Sequence, residues 1–218
     1  MVAISRHLWD TCPVVPLLLL SLMALPGTVE AVVPTPTIAT SSALTDVPFF
    51  SQFRDIDSPK WQKVGCGIAS LAMIIDFYKP EAVSTNTLLQ QGVAAGAYNY
   101  NAGWIYAGLI GLSRQYGLDG AYYNLTTLDS EAAYAALSQH LKNGPVIASV
   151  HYKFDPKSAI PHLVVLDGIK GGLVYYNDPA AKSGELSISK EVFLKAWKKK
   201  IIDIHPVTES GAVALASR

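Results

Sequence analysis

The sequence predicts an α+β domain, with helices in its first half and an antiparallel sheet in its second. Two observations carry this expectation. Between Cys66 and Leu141 apolar residues fill all faces or recur at helical spacing, and Pro80, Gly117 and Asn143-Gly144-Pro145 supply stops. From Val146 to Tyr176 β-branched and aromatic residues take over, broken by Pro161 and by a Gly171-Gly172 turn.

In chain order, residues 11–29 carry no charge, with a Leu- and Val-rich run from Val14 to Leu25. Pro26 and Gly27 break this run, and Val29 and Ala31 place small residues before a cut after Ala31, the pattern of a secretory signal at 1–31. The rival is an uncleaved membrane anchor, since the uncharged stretch is just long enough to span a bilayer. Either way the domain is expected outside the cytoplasm, secreted or tethered. Residues 32–44, rich in Thr, Ser, Pro and Ala, read as a linker, residues 45–206 as one domain, and residues 207–218 as a tail.

Within the domain, Val47 to Phe50 is an extended entry segment and Arg54 to Lys63 a polar loop. Gly65-Cys66-Gly67 opens a helix through Tyr78 that is apolar on nearly every face and therefore buried all round. Further helices are expected after Asn86 to Ala95, from Gly103 to Tyr116, and after Asp129 to Leu141. Strands follow at Val146–Tyr152, Leu163–Ile169 and Leu173–Tyr176, then a helix over Glu191 to Lys199 capped by Ser189, and a closing strand from Ile201 to His205. Lys195, Lys198, Lys199 and Lys200 read as the solvated end of that helix.

A chain of 218 residues that is 50% hydrophobic and 16% charged can bury a full core. Its 17 basic residues balance 17 acidic ones, so it lacks the positive field that nucleic acid or an anionic membrane surface requires. Contact with a membrane is expected only through the N-terminal segment, and the domain is expected to be a monomer. One cysteine and scattered histidines give no metal-ligand spacing, so neither metal nor cofactor is expected. Asn124-Leu125-Thr126 matches a glycosylation acceptor, meaningful only where the source glycosylates.

Cys12 lies in the leader, so cleavage would leave Cys66 as the sole cysteine and exclude an internal disulfide. A lone thiol in an exported protein reads as a reactive group or as an inert, buried small hydrophobe. Its setting favours the first. At the first turn of a helix, free backbone N–H groups and the helix dipole favour thiolate. Gly65 and Gly67 would let another chain approach the sulfur, and the Cys66 N–H could hold an oxyanion.

Such a nucleophile needs a base. His140 falls at the exposed end of a polar helix and reads as solvated, and His205 has no acidic partner that spacing suggests. His162 opens a strand after Pro161 and can project into a cleft; His151 could do so from its own strand, and spacing favours His162. The Gly171-Gly172 turn returns the chain and brings Asp178 level with His162, where a carboxylate could accept the Nδ1 hydrogen bond and turn Nε2 to the sulfur. Asp167, inside the strand, falls elsewhere along the sheet. Tyr98, Tyr100, Trp104 and Tyr106 could line a groove, although such clusters more often belong to a core.

These residues resemble a known family. Val47-Pro48 with Gln52, the run from Gly65 to Met73, Gly103-Trp104, Gly144-Pro145, Pro161 to Gly168, Asn177-Asp178-Pro179 and Phe193 to Trp197 are similar, in order, to the stand-alone relatives of the bacteriocin-processing cysteine peptidases, peptidase family thirty-nine. The resemblance implies a papain-like fold, a Cys66–His162–Asp178 triad and an oxyanion-hole glutamine. Gln52 fits the Val-Pro-x-x-x-Gln opening of the stand-alone members, with Gln62 as the alternative. The implied activity is hydrolysis of a peptide or protein substrate through an acyl-enzyme. The rivals are a silent peptide-binding or cell-envelope module, and an amidase or transferase acting on a non-protein amide. Coupling to export of a double-glycine leader peptide is not expected, because no transporter segments follow the domain.

Overall fold

A computed structural model describes residues 43–207. The expected leader with its cut after Ala31, the rival anchor, nearly all of the linker and nearly all of the tail lie outside the described residues. Among the described residues no helix is long and apolar enough to cross a membrane.

Helix α1 (Pro59–Gln62) starts on a proline, whose fixed φ suits a first helical turn, and stands where the sequence suggests only a loop. It leads into α2 (Cys66–Tyr78), in which each residue from Gly67 to Ile75 is buried. That burial follows from a segment apolar on all faces, and its end follows from Pro80. Full burial of side chains such as Ile68, Leu71 and Ile74 contributes about 1.5–3 kcal/mol each. Helices α3 (Thr85–Ala94) and α4 (Tyr106–Ser113) pack on α2. Ser84, two residues earlier than expected, caps α3 by accepting from the Thr87 N–H.

Strands β1 (Tyr98–Asn99) and β2 (Gly103–Trp104) form a small hairpin. The helix expected from Gly103 therefore begins only at Tyr106, because Gly103, at φ +84°, turns the hairpin and Trp104 pairs with Tyr98. The main sheet contains β3 (Leu118–Asn124), β4 (Val146–His151), β5 (Pro161–Lys170), β6 (Leu173–Asn177), β7 (Leu186–Ser189) and β8 (Trp197–Pro206). It is antiparallel throughout, in the order β3-β8-β4-β5-β6-β7. Helix α5 (Ser130–His140), capped by Asp129, and α6 (Lys190–Ala196), capped by Ser189, complete the described elements with two short 3-10 turns.

Alternate residues of β5 feed two cores. Leu163 and Val165 face the core of α2, while Val164 and Leu166 face the one that holds Tyr134 of α5 and Phe193 of α6. A strand covered on both faces reads as a continuous apolar run, which is why Leu163 to Leu166 is legible in sequence.

Three assignments differ from expectation. Strands β3 and β7 were not anticipated: both are edge strands of mixed polarity, without a clean alternation of apolar residues. The final helix stops at Ala196 instead of Lys199, because Trp197 turns extended and pairs with Val150 in β8. Lys198, Lys199 and Lys200 are consequently strand residues, and Lys199 Nζ donates to Leu128 O at 2.8 Å.

One irregularity sets the site. Gly168 pairs with Tyr175, but Leu166 pairs with Tyr176, so Asp167 is an extra residue in β5. Beyond it Val165 faces Asn177, and continuing that register by one residue sets Asp178 across from Val164. Val164 lies two residues from His162, so Asp178, across from Val164, comes within reach of the imidazole. Without the bulge Asp178 would pair with Val165, one residue farther from His162.

Candidate active site

Cys66 is the first residue of α2, with Gly65 as N-cap, and is partly exposed. His162 is the second residue of β5 and is 3% exposed. A hydrogen bond links the two side chains. Ser70, one turn along α2 from Cys66, donates from Oγ to Leu163 O at 3.3 Å, tying the helix of Cys66 to the strand of His162. His162 Nε2 donates to Asp178 Oδ1 at 2.6 Å. This reverses the expected use of the ring: Nε2 is taken by the carboxylate, leaving Nδ1 for the sulfur. The reason is the direction of approach, since Asp178 reaches the imidazole from the far end of β6, diagonally along the strand.

Burial alone would lower the basicity of His162. The hydrogen bonds to Asp178 and Cys66, with their negative charges, outweigh it and lift the imidazole to about 9. The edge of the Tyr152 ring, with centroids 5.2 Å apart, closes another side of the imidazole.

Gln52 is buried, and its backbone N–H donates to Pro179 O at 2.9 Å, anchoring the entry segment to the turn that carries Asp178. Its side chain lines the same cleft as Cys66 and His162; Nε2 donates to Gln62 O at 2.7 Å, and Oε1 is buried without a partner. Gln62 instead donates from Nε2 to Ile56 O at 2.8 Å and does not line the cleft. The structure thus brings Cys66, His162, Asp178 and Gln52 together and directs the Gln62 amide to the backbone.

The other histidines among the described residues are occupied elsewhere. His151 Nδ1 contacts Ser158 O at 2.7 Å. His140, expected to be solvated, bonds Asp203 Oδ2 through Nδ1 at 2.7 Å, and His205, expected to lack an acidic partner, lies 3.3 Å from Asp203 Oδ1. Asp203 reaches His140 across 63 positions of chain, beyond what spacing suggests, whereas His205 stands two residues along the same strand, where alternation turns both side chains to one face. Asp167 is buried and accepts from Asn177 Nδ2, and burial, reinforced by Asp46 and Glu185, pushes its carboxyl up to about 8. Among the described residues no cluster of His, Cys, Asp and Glu could hold a metal ion.

The glycines beside Cys66 serve packing. A Cβ on Gly67 would lie 2.6 Å from Trp104, and one on Gly65 would lie 2.4 Å from Ile56. Both admit neighbouring side chains of the fold, where the sequence suggested room for another chain at the sulfur. Trp104 in turn donates from Nε1 to Val64 O at 2.7 Å, and with Tyr98, Tyr100 and Tyr106 it lines the cleft of about 510 Å³ that holds Cys66 and His162. The aromatic cluster expected in the core therefore has two faces: Trp104 belongs to the core around α2, and all four rings reach the cleft.

The model of the Peptidase_C39 like family matches residues 44–200. A crystal structure of a double glycine motif protease from an AMS/PCAT transporter, in complex with the leader peptide, is 26% identical with a TM-score of 0.53, over 77% of this chain and 98% of that one. A C39-like peptidase from Bacillus anthracis is 20% identical with a TM-score of 0.54, over 78% of this chain and 99% of that one, and speaks for the fold. No curated protein matches significantly. The mixed helix and antiparallel-sheet architecture is the papain-like fold of C39 peptidase domains, and by the family match this chain belongs to the Peptidase_C39 like family.

Proposed function

We propose that this chain is an exported cysteine peptidase that hydrolyses peptide bonds with Cys66 as nucleophile, His162 as proton carrier and Asp178 as the residue orienting the imidazole. The observation that carries the proposal is the linked arrangement of Cys66, His162 and Asp178 at the wall of an apolar cleft. His162, whose basicity its partners raise, takes the Cys66 proton as the sulfur attacks. The sulfur attacks the substrate carbonyl, and the Cys66 N–H with Gln52 Nε2 steadies the oxyanion. The leaving amine takes the His162 proton as the C–N bond breaks, leaving a thioester. Water, deprotonated by His162, then attacks the thioester and releases the acid and the thiol. The leader peptide bound by the 26%-identical relative supports a peptide substrate.

The test is a digest of a peptide mixture by wild type and Cys66→Ala, read by mass spectrometry. Cuts made by wild type alone support the peptidase. A protein that leaves peptides intact while hydrolysing a non-peptide amide would be an amidase, and one that binds peptides without turnover would be the silent module. Export is tested separately: the secreted protein should begin at Val32, whereas an intact leader in the membrane fraction would establish an anchor.

A further inference from the structure

We propose that the aromatic wall of the cleft is a specificity pocket that selects substrates with a large aromatic or aliphatic side chain flanking the scissile bond. This rests on the peptidase reading above and names the substrate class for the same site.

Three observations carry it. First, the cleft beside Cys66 is roomy: about 510 Å³ falls within the range of pockets that bind small molecules, which leaves space for a large side chain beside the peptide backbone. Second, one wall is a continuous aromatic cluster. Trp61 meets Tyr98 edge-on at 5.1 Å, Tyr98 meets Trp104 at 5.1 Å and Tyr100 at 5.3 Å, so the rings brace one another with their positions set before a ligand enters. Tyr100, at the tip of the β1–β2 hairpin, is nonetheless 72% exposed, a large ring held at the rim. Third, the charges exclude the competing class. Among the described residues no carboxylate lines the cleft, Lys63 does, and Lys60 already lies over the Trp61 and Tyr100 rings at 5.5 and 5.6 Å. A basic substrate side chain would meet cations without a counter-ion, whereas an apolar one gains aromatic surface at no charge cost.

Ile160, Pro161 and Leu163 also line the cleft that holds His162, adding apolar surface for an entering ring. Burying such a side chain discriminates it from glycine by roughly tenfold to a few hundredfold, the range open to an apolar pocket.

The experiment is a digest of a peptide library randomised on both sides of the cut, with wild type and Tyr100→Ala, cleavages read by mass spectrometry and rates checked on matched peptides with Phe or Gly at the selected position. The expected result is enrichment of Phe, Tyr, Trp or Leu at one flanking position, with kcat/KM at least about tenfold above the Gly peptide. Tyr100→Ala should shrink that ratio severalfold while labelling of Cys66 by iodoacetamide stays unchanged. Glycine at both positions before the cut, a basic preference, or a Phe-to-Gly ratio that Tyr100→Ala leaves intact would overturn the pocket and leave the peptidase standing. A library left uncut while Cys66 still reacts would overturn both.

Discussion

Asp178 Oδ1 accepts two hydrogen bonds at once, from His162 Nε2 at 2.6 Å and from the Ala180 backbone N–H at 2.8 Å. The second fixes the carboxylate to its own turn, so the imidazole is oriented by a group whose position the backbone sets. With Nε2 so engaged, only Nδ1 is free for Cys66, and exchange of a proton with the sulfur must run through it.

Asp178→Asn should fold and lose about two to four orders of magnitude in kcat/KM, because an amide can donate to Nε2, select the wrong tautomer and leave an imidazolium uncompensated. Asp167→Asn should cost much less activity. Steady-state kinetics on any cleaved peptide, with circular dichroism to confirm folding, compares the two; a larger loss at Asp167 would move the orienting role to that residue.

Iodoacetamide should modify the folded mature protein, freed of the leader that carries Cys12, once, at Cys66, with appreciable speed at about pH 6, where an ordinary thiol is almost wholly protonated. His162→Ala should move the labelling profile to higher pH, while His151→Ala, whose ring is turned to Ser158 O, should leave it nearly unchanged. The His162 imidazole, raised to about 9, should be seen by NMR to lose its proton near that pH. A pKa raised by partners contributes stability that is complete below about pH 6.5, so stability should fall as pH rises from there towards 9 and level off above it. A profile rising only above about pH 8 in wild type would mean an unactivated thiol.

Gln52→Ala should lower kcat by roughly ten- to a thousandfold with little change in KM, the signature of a donor that acts on the oxyanion. Gln62→Ala removes the bond to Ile56 O and should chiefly lower the melting point, at a cost of about 1 kcal/mol. Paired denaturation and kinetic measurements separate the two, and equal kinetic losses would assign the oxyanion role to neither alone.

Asp167, buried and raised to about 8, binds its proton more tightly in the folded state than in the unfolded chain. Its stabilising contribution is therefore complete below about pH 4 and is lost as pH rises towards 8. Asp167→Asn removes that dependence and should make the protein more stable than wild type at pH 8–9, by an amount on the order of a few kcal/mol. Urea midpoints at pH 5 and pH 9 test this; an equal effect at both would show that Asp167 does not titrate.

Gly67→Ala drives a methyl into the Trp104 ring and should destabilise the domain by about 1–3 kcal/mol. Trp104 fluorescence should change with it, and an unchanged melting temperature would show that the ring yields freely.

The sequence by itself determined the elements whose character is local. A segment apolar on every face can only be a buried helix, so α2 and the place of Cys66 at its start were legible, as was β5 with His162 at its mouth. Spacing across a Gly-Gly turn brought Asp178 close to His162. What spacing could not reveal was register: the extra residue Asp167 moves Asp178 one position along β5 toward His162. Nor could it reveal which imidazole nitrogen meets the carboxylate, why the glycines flank Cys66, or that Asp203 reaches His140. Each of these depends on approach between segments far apart in the chain. Periodicity records which face of an element is buried, but only the packed structure decides what lies against it.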